Sequence, residues 1–218
     1  MEKHESGPLK DRLPPDEKSS GRIFQPFSLG ERFIVLPPHK INPAPERLPL
    51  ILGPGKAFGS GEHETTASCI ELLERIPALP QKKVLDYGCG TGILALAAAK
   101  LGAFFVLGLD NDPEAIETCK NNLLLNGGEK QVFFLQKDLE AIKEKGFDLI
   151  LANIYDHILL KNSARLAALT KSKGDLILSG ILYESFFDIK YRFQRLGFTA
   201  LKEKFMEEYC TLWLQKLP

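Results

Sequence analysis

From about residue 63 onward the apolar positions alternate between helical and extended spacing. Residues 63–75 place Ile70, Leu72 and Leu73 on one face and Glu71 and Glu74 on the other, the pattern of an amphipathic helix. A short apolar strand follows at Lys83–Tyr87, then an Ala/Leu-rich helix over Gly92–Leu101 and a strand over Phe104–Leu109. Pro113–Leu125 reads as a helix with Asp112 at its N-cap, Pro113 in its first turn and Asn126-Gly127-Gly128 ending it. Gln131–Gln136 and the continuous apolar run Phe147–Ala152 are strands, the latter of the kind buried on both faces of a parallel sheet. A helix over 157–169, a strand over 175–179, a helix over 184–196 and strands near 198–204 and 209–215 complete the series. Strands joined by helices require right-handed crossovers. The pattern therefore predicts an α/β, Rossmann-type fold with a seven-stranded, mostly parallel sheet and helices on both faces.

The chain before this region has a different character. Ten of its fourteen prolines lie before Gly55. Residues 1–21 are polar, charged and Pro-rich, with too little apolar surface to offset the entropy of ordering, and are expected to form a flexible tail. Residues 22–55 are expected to be a Pro-rich lead-in with one short strand in Arg32–Leu36, followed by an extended, irregular connection and no compact accessory domain. Residues 56–218 form the predicted catalytic domain.

Composition narrows the function classes. Lys+Arg and Asp+Glu each total 28, a balance that speaks against a phosphate-reading DNA binder. No signal-peptide pattern precedes the chain, and the four cysteines form no CxxC pair, so they read as reduced thiols in a cytoplasmic protein. The longest apolar runs are too short to cross a bilayer, and the four histidines lack zinc-ligand spacing, so neither a membrane nor a metal is expected.

The chemistry concentrates where the first strand of the series enters its helix: Asp86-Tyr87-Gly88-Cys89-Gly90-Thr91-Gly92. Glycines at alternate positions let the backbone turn tightly and approach a ligand, and the following helix offers free N–H groups. Alone, this indicates a nucleotide-like ligand. A dinucleotide fingerprint GxGxxG would need glycine at position 93, where Ile93 stands. Asp86 also puts negative charge beside the loop, unfavourable for a pyrophosphate but favourable for the cationic end of S-adenosylmethionine. Asp110 ends the next strand, where a carboxylate can accept bonds from both ribose hydroxyls. Asp138, after the third strand, suits either the adenine amino group or the N-cap of a helix starting near Leu139.

Three further stretches carry a resemblance. Gly55-Lys56-Ala57-Phe58-Gly59-Ser60-Gly61-Glu62-His63-Glu64-Thr65-Thr66, Asn153-Ile154 and Leu178-Ser179-Gly180-Ile181-Leu182 resemble the PrmA family, the bacterial methyltransferases of ribosomal protein eleven of the large subunit. The similarity runs from about residue 50 to residue 214 and implies a class I methyltransferase fold with S-adenosylmethionine as cofactor. It implies cofactor contacts at Thr66, Gly88 and Asp110, beside Gly90 of the same loop, and places Asn153 at the methyl-transfer centre, where it would also meet the cofactor. Thr65 and Thr66 also suit capping of the covering helix, and His63 reads as a loop-ordering residue. Attack on a sulfonium methyl needs an in-line approach by a neutral nitrogen, so positioning by Asn153 is the expected catalysis, with no protein nucleophile.

Two departures bear on the acceptor. The family carries a recognition domain and linker helix before the strand near 33–36, where this sequence has about thirty residues, and Tyr155-Asp156-His157 replaces smaller or aliphatic groups. Three readings therefore stand side by side: an N-methyltransferase acting on lysine or N-terminal amines of a protein, ribosomal or other, a small-molecule methyltransferase, and a non-catalytic cofactor-binding module working with a partner.

Overall fold

The computed structural model describes residues 24–54 and 57–218, so the expected flexible tail at 1–21 lies outside the described residues. Ten strands and five α-helices follow in chain order: β1 (Phe27–Leu29), β2 (Phe33–Leu36), β3 (Leu48–Ile51), α1 (Glu64–Leu73), β4 (Lys83–Tyr87), α2 (Ile93–Lys100), β5 (Phe105–Asp110), α3 (Pro113–Leu125), β6 (Val132–Gln136), β7 (Phe147–Asn153), α4 (Asp156–Leu169), β8 (Thr170–Leu182), α5 (Phe186–Arg195), β9 (Phe198–Phe205) and β10 (Tyr209–Lys216). Seven of these strands form one sheet in the order β6-β5-β4-β7-β8-β10-β9. Its first five strands are parallel, and β10 runs antiparallel to both β8 and β9.

Alternation along the strands builds two cores, one on each face of the sheet. Val84, Val106, Leu149, Leu151 and Ile177 face α1 and α2. Their chain neighbours Leu85, Leu107, Ile150, Leu176 and Leu178 face the residues of α4 and α5. Helix α2 lies entirely in the first core, with Ile93 through Ala99 all buried. Such a helix shows little amphipathic periodicity, because sheet and neighbouring helices surround it.

Three expectations are corrected. The lead-in was expected to hold one strand and an irregular connection; it holds three strands, with β1 antiparallel and β3 parallel to β2. Pro49 lies within β3, which is tolerated because β3 is an edge strand of this small sheet and needs no full set of ladder donors. The outer edge of β3 is closed by α3: the Asn126 side chain accepts from Ile51 N at 3.0 Å and donates to Ile51 O at 2.7 Å. Leu29, Phe33, Val35, Leu50 and Leu52 pack into the same core as α1 and α2, so the small sheet is continuous with the domain. Strand β8 is also longer than the predicted 175–179. Its polar first residues pair irregularly with β7, with a register shift between Phe147 and Leu149, so they lack the strand signature.

The third correction concerns Asp86. Its carboxylate was expected to face a ligand, but it is 1% exposed and accepts the Ala95 backbone N–H at 3.0 Å. Helix α2 has Gly92 at its N-cap, with no side chain to satisfy the first free N–H groups. Asp86 performs that capping from the strand beneath. Burial pushes its pKa up to about 7, against the lowering effect of the Ala95 N–H, and the nearby Asp110 raises it further.

Two outcomes are expected. Phe33→Ala removes a fully buried ring and should destabilise the whole domain by about 3–5 kcal/mol. A single cooperative denaturation curve displaced to lower denaturant would carry that loss; an unchanged main transition would make the small sheet an independent appendage. Asp86 holds a proton in the native state up to about pH 7, whereas an unfolded aspartate loses it near 3.8. Its contribution to stability is therefore complete below the lower value and disappears as pH rises through the upper one. Without added ligand, the melting temperature of Asp86→Asn minus that of the wild type should widen between about pH 4 and about pH 7, then level off. A difference independent of pH would remove Asp86 as the titrating group.

Candidate active site

The order of the large sheet reverses between β4 and β7, and loops leaving their C-terminal ends part there, as at ligand crevices of open α/β sheets. A cavity of about 520 Å³ occupies this place, with Gly88, Gly90, Asp110, Asp138 and Asn153 among its lining residues. Five of the seven predicted site residues are thus brought together. Asp86 and Thr66 stand behind the wall, and neither lines the cavity.

The glycine loop explains its own composition. Gly88 and Gly90 have φ of +74° and +54°, which L side chains rarely adopt. A Cβ at Gly90 would lie 2.3 Å from Phe58 O, and one at Gly88 would lie 2.3 Å from Ile154 Cγ2. The glycines therefore permit close packing of two neighbouring segments as well as approach by a ligand. Gly88 N and Cys89 N both donate to Leu109 O, at 2.8 and 2.9 Å, which fixes the loop over the end of β5. The Asp110 carboxylate accepts Gly90 N at 3.1 Å with one oxygen and Asp112 N at 3.0 Å with the other. Those bonds hold the carboxylate in place at the cavity wall.

Asp138 precedes a 3-10 turn at Leu139–Ala141 and makes no side-chain capping bond there. Of the two uses the sequence allowed, capping is not the one observed. Asp138, Asp110 and Glu140 also raise the Tyr87 hydroxyl to about 12, after burial, which is the larger cause. Helix α1 is capped by His63, whose Nδ1 accepts from Thr65 N at 3.3 Å and lies 2.8 Å from Thr65 Oγ1. Capping by Thr65 or Thr66 is thereby replaced, and His63 orders the loop as its position predicted.

Asn153 ends β7 and is 8% exposed. Its Nδ2 donates to Thr66 Oγ1 at 3.3 Å, so Thr66 acts on the cavity through Asn153. The Asn153 Oδ1 is buried without a partner, a costly state for a carbonyl unless a ligand donor meets it. Tyr155 and His157 line the mouth beside it, their rings stacked at 5.6 Å and 25°. Phe58, Tyr87 and Lys161 also line the cavity and were not singled out from the sequence. Phe58 and Tyr87 lie inside motifs read mainly for their glycines and acids, and Lys161 is brought in only by the direction of α4.

Comparison with known proteins agrees with this geometry. The sequence model of the family described as "Ribosomal protein L11 methyltransferase (PrmA)" matches residues 17–217, so the likeness reaches about thirty residues further toward the N-terminus than the motifs indicated and takes in the small sheet. The ribosomal protein L11 methyltransferase of Alteromonas mediterranea is 40% identical over 183 residues, 84% of this chain and 61% of that protein. That of Marinobacter nauticus is 43% identical over 160 residues, 73% of this chain and 53% of that protein. The chain thus spans roughly half to three-fifths of the length of these relatives. Among solved structures, a ribosomal protein L11 methylase from Lactobacillus delbrueckii subsp. bulgaricus superimposes with a TM-score of 0.82 at 29% identity, covering 89% of this chain and 100% of that one. Magnesium protoporphyrin IX methyltransferase from Synechocystis, solved with bound S-adenosylmethionine, shares the fold with a TM-score of 0.59 at 21% identity, covering 68% of this chain and 76% of that one. By sequence and by fold, the chain belongs to the ribosomal protein L11 methyltransferase (PrmA) family.

Proposed function

We propose that this chain is an S-adenosylmethionine-dependent methyltransferase that methylates an amine of a protein acceptor, a lysine side chain or an N-terminus. The observation that carries the reading is the unpartnered, buried Asn153 Oδ1 at the cavity wall, on the same sheet edge as Gly88, Gly90 and Asp110. When bound, the cofactor supplies an electrophilic methyl group on a positively charged sulfur.

The residues of the cavity fit that group. Gly88 and Gly90 offer a wall without side chains, Asp110 offers acceptors for vicinal hydroxyls, and Asp138 can accept from an exocyclic amine. Asn153 Oδ1 accepts an N–H from the incoming neutral amine and so directs its lone pair into the cavity. Its own orientation is set by the bond from Nδ2 to Thr66 Oγ1. Positioning of this kind accounts for the rate without a covalent step on the protein. The relatives are named for ribosomal protein L11, which makes that protein the first acceptor to test.

Titration calorimetry should register binding of S-adenosylmethionine and none of NAD. Asp110→Ala should weaken cofactor binding by about 2–3 kcal/mol, the loss of hydrogen bonds to a charged acceptor. NAD binding tighter than S-adenosylmethionine, or an Asp110→Ala affinity equal to the wild type, would overturn the cofactor reading. Asn153→Ala should lower kcat on a protein acceptor by about 100-fold while leaving cofactor affinity within a few-fold. Transfer of a labelled methyl group into lysate, resolved by size, addresses the acceptor: label in protein supports the proposal, while label confined to small molecules, or none, rejects it.

A further inference from the structure

The face of α3 that carries Cys119, Asn122 and Asn126 runs from the glycine loop to the edge of the small sheet. Residues spaced in this way project from one side of a helix. At one end, Cys119 Sγ donates to Gly90 O at 3.1 Å. At the other, Asn126 holds both backbone groups of Ile51. Asn122 lies between, 1% exposed, and touches both neighbours: its Oδ1 accepts Gly53 N at 2.8 Å and its Nδ2 donates to Thr91 O at 2.9 Å.

Thr91 is the loop residue on which these contacts converge. Its N–H donates to Phe58 O at 3.0 Å, its hydroxyl to Gly59 O at 2.5 Å, and its carbonyl accepts from Asn122. All its polar groups are thus engaged by the segment that follows the small sheet and by α3. The Asn122 amide has only one acceptable orientation. Turned over, it would set its NH₂ group against the Gly53 N–H and its oxygen against the Thr91 carbonyl, leaving two buried groups unsatisfied. Displacement of Gly53 therefore displaces Asn122, and the strain passes to Thr91, directly beside Gly90.

We infer that Asn122 is a positioning residue that couples cofactor binding at the glycine loop to the seating of the small N-terminal sheet. This rests on the proposed cofactor reading of the cavity. Coupling of this kind is reciprocal: a firmly seated sheet raises cofactor affinity, and bound cofactor holds the sheet more firmly. Asn126 provides the contrast: its side chain bonds Ile51 and the Asn122 backbone carbonyl, but it makes no described bond to the glycine loop.

Two measurements on the whole chain test this: calorimetric affinity for S-adenosylmethionine, and backbone amide exchange at Ile51 and Gly53 with and without that cofactor. In the wild type, saturating cofactor should slow exchange at Gly53. Asn122→Ala should raise the Kd about tenfold and abolish that slowing, since it removes the side chain that bonds both Gly53 N and Thr91 O. Asn126→Ala should speed exchange at Ile51 yet keep both the Kd, within twofold, and the cofactor-dependent slowing at Gly53. Should Asn122→Ala fail to fold, Asn122→Leu keeps the side-chain volume while removing both bonds, and is held to the same outcomes. Wild-type affinity in the Asn122 variants, or an equal loss of affinity in Asn126→Ala, overturns the coupling. Failure of the wild type to bind cofactor at all would instead reject the cofactor reading on which it stands.

Discussion

Between β4 and β7 the chain's crossovers diverge: from β4 they lead outward to β5 and β6, and from β7 they lead to β8 on the other side. Loops leaving adjacent strands in opposite directions cannot cover the gap between them, and a crevice is left at the C-terminal edge. The crevice exists because the backbone hydrogen bonds of the parallel ladder keep Asp86 beside Leu151 and Val84 beside Leu149. With that pairing in place, Gly88 and Asn153 emerge on the same edge with no direct contact needed between them. Alternating side chains on the same strands anchor α1 and α2 on one face and α4 and α5 on the other.

The crevice walls are then made by capping and close approach. Asp86 satisfies the first turn of α2 from below, so the helix can begin at a glycine that offers no capping side chain. A carboxylate buried beneath the loop is a high-stakes arrangement: its charged form is disfavoured by burial, and its single described hydrogen bond only partly offsets that. Above the loop, Phe58 approaches so closely that only glycine fits at position 90. The small sheet, joined to α3 through Asn122 and Asn126, fixes where that overlying segment begins. Cofactor loop, covering segment and N-terminal sheet thus form one hydrogen-bonded unit.

At the end of β7 the cavity wall is made by side chains rather than by glycine backbone. Asn153 offers one unpartnered oxygen, and the stacked rings of Tyr155 and His157 flank the mouth at the start of α4. Both rings line the cavity beside Asn153. Under the proposed function, contacts of this kind, away from the reacting atoms, are the ones that orient an acceptor.

Much of this was legible in the sequence by itself. Periodicity located the seven strands of the large sheet and all five helices, since an α/β sheet buried on both faces imprints apolar runs and helix caps such as Asp112 directly on the chain. The glycine loop, Asp110, Asp138 and Asn153 were legible because they sit at strand ends, where open sheets hold ligands. Tertiary structure alone decided the rest. Nothing local reveals that Asp86 turns inward to cap α2, because its partner N–H lies nine residues away on the next element. Nothing local reveals strands β1 and β3 either: three or four residues, one of them proline, carry too weak a pattern, and what makes them a sheet is β2 between them and the side chain of Asn126 from α3. Local periodicity records which face of an element is buried; it does not record the partner that buries it.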